Sequence, residues 1–297
     1  MSDAKLALLD DRSVISVTGE DARKLLQDLV TNSIDGLARP TAGIAPQAVH
    51  AGLLSPQGKL LFEFFIAATP DGLLLDVAAA QAAALVQRLT LYRLRAKAEI
   101  KDESGAFAVV AVWDGDPPPS DPPAHFRDPR HASIGARWIV AKADVDAQAR
   151  SAAAFKAYHA HRIGLGIPEG GKDYDFGDTF AHEANFDLNH GVSFTKGCFV
   201  GQEIVARMEH RGTARKRVAR VTADSDLPAD RPDVKAGEVT IGRMGSVDGC
   251  HGLALVRLDR VVEAADKGRP ITAAGLDLRV DPEMLDRWRK ISARRST

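Results

Sequence analysis

The chain has very little cysteine: Cys198 and Cys250 are the only two in 297 residues. Two thiols cannot build a disulfide framework, which predicts a reducing, cytoplasmic setting. Charge imbalance is also missing. With a formal net charge of −1, no global field draws the molecule to nucleic acid or to a membrane surface. No apolar run approaches the roughly 20 residues that a membrane-spanning helix needs. The first residues meet Asp10 and Asp11 before a signal-peptide apolar stretch could build, so no secretory leader is expected. Short tandem repeats are absent too. What remains is an ordinary globular composition, 45% apolar and 27% charged, and the length predicts two or three domains with sizeable cores.

Patterning along the chain predicts α+β architecture. Residues 6–9 and 13–17 read as strands. Thr18, Gly19, Glu20 and Asp21 resemble a capping box, and Leu25, Leu26, Leu29 and Val30 give the next helix an apolar stripe. Residues 48–54 and 60–66 are β-rich and joined by the turn signal Ser55-Pro56-Gln57-Gly58-Lys59. Residues 73–77 and 106–113 read as strands and 78–92 as a helix. Residues 114–123 carry five prolines in ten positions and cannot hold regular structure. A strand at 138–141 and a helix at 145–161 follow, then a stretch at 162–194 rich in Gly, Asp and Asn. Ordered loops of that length are uncommon without a function. After Gly212 the texture changes to short β-like segments at 217–222, 238–241, 252–258 and 276–280, separated by Gly and Pro, the pattern of a small β-barrel or sandwich. The expected organisation is an α+β sub-domain at 1–113, a Pro-rich loop at 114–123, a second α+β sub-domain at 124–212 and a C-terminal β-barrel at 213–297.

Residues 195–207, Thr-Lys-Gly-Cys-Phe-Val-Gly-Gln-Glu-Ile-Val-Ala-Arg, combine an amine, a thiol, two glycines and a polar pair ahead of an apolar helical run. Val200, Ile204 and Met208 lie four apart, which predicts a helix starting near Cys198. The thiolate is the reactive form of cysteine and a soft metal ligand, and a helix N-terminus and a nearby ammonium both favour it. Cys198 and Lys196 are therefore the candidate catalytic pair; the competing reading is a small buried cysteine ahead of a helix. Gly197 and Gly201 permit close backbone approach or merely shape a turn. Cys250, within Asp248-Gly249-Cys250-His251-Gly252, reads as a β-turn residue.

The octapeptide Lys196-Gly197-Cys198-Phe199-Val200-Gly201-Gln202-Glu203 resembles the signature of the YgfZ family of folate-binding proteins, relatives of the glycine-cleavage aminomethyltransferase, or T-protein. Weaker similarities extend along most of the chain: Glu183-Ala184-Asn185-Phe186-Asp187 and Gly191 to Phe194 before the signature, the Ser55–Lys59 turn, Arg93-Leu94-Arg95-Ala96-Lys97, and the first helix. The resemblance implies two related α/β sub-domains around a central folate-binding hole, with a β-barrel closing one side. It further implies binding of tetrahydrofolate or a derivative, and a role in assembling or maintaining iron–sulfur proteins, above all those with 4Fe–4S clusters. An indirect effect on tRNA modification follows through cluster-dependent enzymes. The implied partners are folate and iron–sulfur assembly or client proteins, with no stable nucleic acid, no membrane and a monomeric chain.

Under that resemblance, Gln202 and Glu203 can match the donor and acceptor edge of a pterin, or serve only the first turn of the helix. Glu183, Asn185 and Asp187 either line a pocket or supply turn chemistry. Arg207 is the best placed of a basic group with Arg211, Arg215, Lys216, Arg217 and Arg220, and it could hold the glutamate carboxylates of folate; the bland reading is a solvated face. Two cysteines are too few for a four-cysteine iron–sulfur site in one chain. A folate-dependent aminomethyl or C1 transferase is the alternative function, and an RNA-binding module is a third with thin support.

Overall fold

The computed structural model describes residues 4–38, 47–115, 122–212 and 214–294. It divides into two compact units: Met1–Tyr158 with Asp187–Gln202, and His159–Phe186 with Glu203–Thr297. No helix among the described residues is long and apolar enough to cross a membrane. Of the Pro-rich stretch at 114–123, residues 116–121 lie outside the described residues.

The first unit contains β1 (Lys5–Leu8), β2 (Arg12–Thr18), α1 (Ala22–Leu29), β3 (Ala48–Leu54), β4 (Leu60–Ala68), β5 (Gly72–Ala78), α2 (Ala82–Arg93), β6 (Glu99–Asp102), β7 (Phe107–Trp113), β8 (Ala124–Arg127) and β9 (Ala136–Ala141). The strands form two antiparallel sheets, ordered β3-β4-β5-β2-β6 and β1-β7-β9-β8. The sequence of β4 explains the layering. Alternate side chains Phe62, Phe64 and Ile66 join a core with Leu25, Leu26 and Leu29 of α1 and Leu85 and Leu89 of α2. Between them, Phe65 meets Phe126 of β8 with ring centroids 5.9 Å apart.

Around Phe65 lies a buried ionic network. Asp76 accepts from Arg12 Nε at 2.6 Å and from Arg137 Nη1 at 2.7 Å. Asp128 accepts from Arg137 Nε at 3.0 Å and from Arg130 Nη2 at 2.8 Å. The Arg137 guanidinium stands 4.3 Å from the Phe65 ring centre and donates to the Tyr158 hydroxyl at 2.9 Å. Arg12 and Asp76 belong to one sheet, Arg137 belongs to the other and Asp128 directly follows its strand β8, so the network ties the two sheets together. Burial opposes the Asp128 charge, but Arg130 and Arg137 outweigh it and hold the carboxyl well below the usual carboxylate range.

Two local expectations need correction. The Thr18–Asp21 segment is not a capping box: the Asp21 side chain makes no cap bond and instead accepts from the Lys97 amide at 2.8 Å. The helix expected over 145–161 is α3 (Ala152–Gly164). It starts late because Gln148 N donates to Asp146 Oδ1 in a turn, while Ser151 Oγ accepts from Ala154 N at 3.1 Å and caps the helix.

The second unit holds the end of α3, most of α4 (Gln202–Arg211), then β10 (Lys216–Thr222), β11 (Asp233–Ala236), β12 (Val239–Asp248), β13 (His251–Arg257), α5 (Leu258–Asp266), β14 (Ile271–Ala273), β15 (Leu276–Asp277), β16 (Arg279–Val280) and α6 (Pro282–Arg294). Its strands run in the order β15-β14-β11-β12-β13-β10-β16, a nearly closed barrel around Val221, Val234, Met244, Val256 and Trp288. The fold class is thus α+β with a C-terminal β-barrel. Asp281 Oδ1 accepts from Glu283 N at 2.9 Å and Met284 N at 3.2 Å, so α6 begins with a carboxylate cap and a proline at its first position. The Gly- and Asp-rich stretch is ordered by buried Arg162, which donates to Ile167 O at 3.0 Å, Asp173 Oδ2 at 2.9 Å and Ser246 Oγ at 2.6 Å.

Candidate functional site

Cys198 is exposed, in a stretch without regular secondary structure. The helix starts at Gln202, not near Cys198. Gly201 explains the late start. It has φ +81°, a conformation L side chains rarely adopt, and an added Cβ would lie 2.7 Å from Ser55 O and 3.1 Å from Gly58 Cα. The chain is therefore pressed onto the Ser55–Lys59 turn just before the helix begins. Because the dipole's influence fades beyond the first turn, Cys198 lies ahead of the helix end that was expected to favour its thiolate. Gly197 has open space around it and no such steric demand.

The Lys196 ammonium points at backbone. It donates to Gln27 O at 2.6 Å, Val30 O at 2.6 Å and Asn32 O at 3.2 Å, and it stands 5.1 Å from the Phe199 ring centre. Burial lowers its pKa to about 8, with Asp35 and Asp28 pulling the other way. The last turn of α1 has no basic residue of its own, so Lys196 supplies the cation for the Gln27 and Val30 carbonyls at its end.

The residues leading to Cys198 are held by side chains that the sequence reading missed. His50 Nδ1 lies 3.1 Å from Asn189 O, and its Nε2 lies 2.8 Å from Glu63 Oε1. Asn32 Nδ2 donates to His190 O and Thr31 Oγ1 to Gly191 O, at 2.7 and 2.6 Å. The signal was present: His50 and Glu63 interrupt two otherwise apolar strands, and a buried polar residue needs a partner.

The remaining candidates divide between the units. Asp187 and Gln202 are half-buried in the first unit, with Lys196 and Cys198. Glu183, Asn185, Glu203 and Arg207 belong to the second. Glu183 is buried and its Oε2 accepts from Phe180 N at 3.1 Å. Asn185 is buried at φ +61° and donates to Val218 O at 2.9 Å, while its Oδ1 has no hydrogen-bond partner. Glu203 and Arg207 are exposed and pair at 2.6 Å, one turn apart on α4. Of the other basic residues, Arg217 is buried and Arg220 pairs with Asp281. Cys250 sits in the tight turn between β12 and β13.

Residues 215–290 match the family described as the CAF17 C-terminal β-barrel domain. Among curated proteins, the iron–sulfur cluster assembly factor IBA57 homolog of Mycosarcoma maydis is 37% identical over 244 residues, covering 77% of this chain and 60% of that protein. Human IBA57 is 31% identical over 284 residues, covering 85% of this chain and 77% of that protein. The chain belongs to the IBA57 family. Among solved structures, the glycine cleavage system aminomethyltransferase T from Bartonella henselae aligns with a TM-score of 0.69 over 93% of this chain and 84% of that one, at 14% identity, which establishes a shared fold. The octapeptide pointed to YgfZ-type proteins, whereas the named relatives are IBA57 factors on that same fold. The cytoplasmic expectation is overturned, because these IBA57 relatives are mitochondrial proteins. Its basis was cysteine usage, which reports a redox environment and does not distinguish one reducing compartment from another.

Proposed function

We propose that this IBA57-family chain takes part in assembling iron–sulfur proteins, with the Cys198 thiolate offered to a cluster that a partner protein holds. The observation that carries the reading is the family relationship, 31% identity to human IBA57 across 85% of this chain. The site supports it. One exposed soft thiol can share a metal centre but cannot hold a cluster alone. The cluster is cargo here, and 4Fe–4S proteins are the proposed clients; any effect on tRNA modification passes through cluster-dependent enzymes.

Reduced folate is the proposed ligand, on the strength of the resemblance at 183–187 and 196–203. Asn185 Oδ1, buried without a partner, fits a donor on a pterin edge. Gln202 offers a further carboxamide. Glu183, Asp187, Glu203 and Arg207 complete the candidate set, although Glu203 and Arg207 neutralise each other. When bound, a reduced folate would supply a carrier for one-carbon groups.

Cells lacking the protein should be complemented with wild type and with Cys198→Ser, which keeps size and polarity and removes the soft ligand. The expected outcome is loss of 4Fe–4S enzyme activities with the melting temperature and folate affinity unchanged. Full restoration by a folded Cys198→Ser would make the cysteine structural. Calorimetry with tetrahydrofolate tests the ligand directly, and absence of saturation at high micromolar concentration would sink it. Turnover with a methylene donor and an aminomethyl-lipoyl carrier protein would instead favour a C1 transferase.

A further inference from the structure

Within the first unit, the chain from Asn189 to Lys196 is bound at successive points to the end of α1 and the residues that follow it. Thr31 is fully buried, and its hydroxyl donates to Gly191 O at 2.6 Å while accepting from Gly52 N at 2.8 Å. Its carbonyl accepts from Ser193 N at 3.0 Å. Asn32 uses both amide protons, on His50 O at 2.9 Å and His190 O at 2.7 Å. His50 adds the contact to Asn189 O at 3.1 Å. Lys196 closes the series with its three carbonyl contacts. Beyond the cysteine, Val200 packs on the unit's main core and Gly201 sits on the Ser55–Lys59 turn. Cys198 and Gly197, between these anchors, are exposed.

We propose that Lys196 is a positioning residue: it latches the cysteine loop to the carboxyl end of α1, and the latch, rather than a cation held against sulfur, sets where the thiol is presented. The ammonium has three protons, and three carbonyl oxygens lie within 3.2 Å of it. Gln27 O lies in the last turn of α1 and Val30 O at its cap, of the kind a helix end leaves without partners, while Asn32 O follows just beyond; no basic side chain in the last turn of α1 competes for them. The latch also crosses a long sequence separation, so it fixes a loop that local structure does not hold. A thiol that must meet a metal centre on another protein gains from a fixed place, because an ordered loop loses less entropy on docking. Thr31 and Asn32 act in the same way one step earlier along the loop.

The inference rests on Cys198 being the working thiol, and its test separates the two. Lys196→Met keeps an unbranched apolar stem and removes the donors. Hydrogen exchange of the full chain, followed by mass spectrometry over residues 189–197 and including the Ser193 amide, should quicken by at least about tenfold. The pH midpoint for alkylation of Cys198 by iodoacetamide should stay where it is in wild type. Lys196→Gln, which keeps a polar tip with fewer donors, takes its place if Lys196→Met folds poorly, and Asn32→Ala should quicken exchange in the same peptide with Lys196 intact. Exchange within twofold of wild type in the folded Lys196 variant would overturn the latch. So would an upward move of the alkylation midpoint in Lys196→Met, the signature of a cation that activates the thiol. Complementation by Cys198→Ser would remove the proposed function while leaving the exchange result untouched.

Discussion

Asp128 is the residue whose replacement should weaken the first unit most for its size. Its carboxylate serves two buried guanidiniums, Arg130 at 2.8 Å and Arg137 at 3.0 Å. Asp128→Asn removes the charge and keeps the shape. Arg137 retains Asp76 and the Tyr158 hydroxyl, while Arg130 loses its 2.8 Å carboxylate contact and keeps the Tyr158 hydroxyl at 3.4 Å. Removing one side of a buried ion pair costs about 3–5 kcal/mol, because the remaining buried charge is less well compensated. The assay is urea unfolding followed by tryptophan fluorescence in a Trp288→Phe background. That background silences the second unit and leaves Trp113 and Trp138 to report on the first. The midpoint should fall with little change in slope. The pH dependence has a definite sign. The folded pKa is depressed, so the stabilisation is fully present above the unfolded value of about 4 and is lost as pH falls below it. Wild type should therefore lose first-unit stability below about pH 4, and Asp128→Asn should lose less over that range. A shift under about 1 kcal/mol at neutral pH, or an unchanged acid limb, would refute the view that the network holds the sheets together.

Other substitutions probe the site and the barrel. Gly201→Ala should destabilise by roughly 1–3 kcal/mol, since it combines a strained positive φ with a Cβ 2.7 Å from Ser55 O; thermal melting measures the loss, and Cys198 should alkylate at a changed rate as the loop shifts. Asp281→Ala removes both the cap of α6 and the partner of Arg220, so a loss of about 1–2 kcal/mol is expected in the second unit, read from Trp288 fluorescence.

The sequence exposed those parts of the fold whose signals are local. Apolar runs placed β3, β4, β5 and β7 to within a residue or two, and Gly and Pro spacing announced the barrel. What it hid depends on distant partners. The short strands β6 and β8 carry little apolar pattern and exist because longer strands beside them need pairing. The helix α5 was legible in principle, since Leu258, Val261 and Ala264 form one buried stripe. So was α6, announced by Asp281-Pro282-Glu283. The Thr18–Asp21 segment misled because a carboxylate at a helix start can satisfy a distant amide as readily as its own.

The same division runs through the site. The octapeptide marked Lys196 and Cys198 by composition, and composition invites the idea that adjacent amine and thiol act on each other. Two residues of extended chain span roughly 7 Å, so neighbours in sequence need not touch. What decides the direction of a lysine is where unmatched acceptors lie, and a helix end without a basic residue is a dense source of them. The glycines divide in the same way: Gly201 is required by a turn far back in the chain, while Gly197 borders open space. A motif read only as a catalytic string would assign all eight positions to chemistry. Geometry instead gives Lys196, Phe199, Val200 and Gly201 to holding the loop, and leaves Cys198 as the one side chain between the two anchors free to meet a partner.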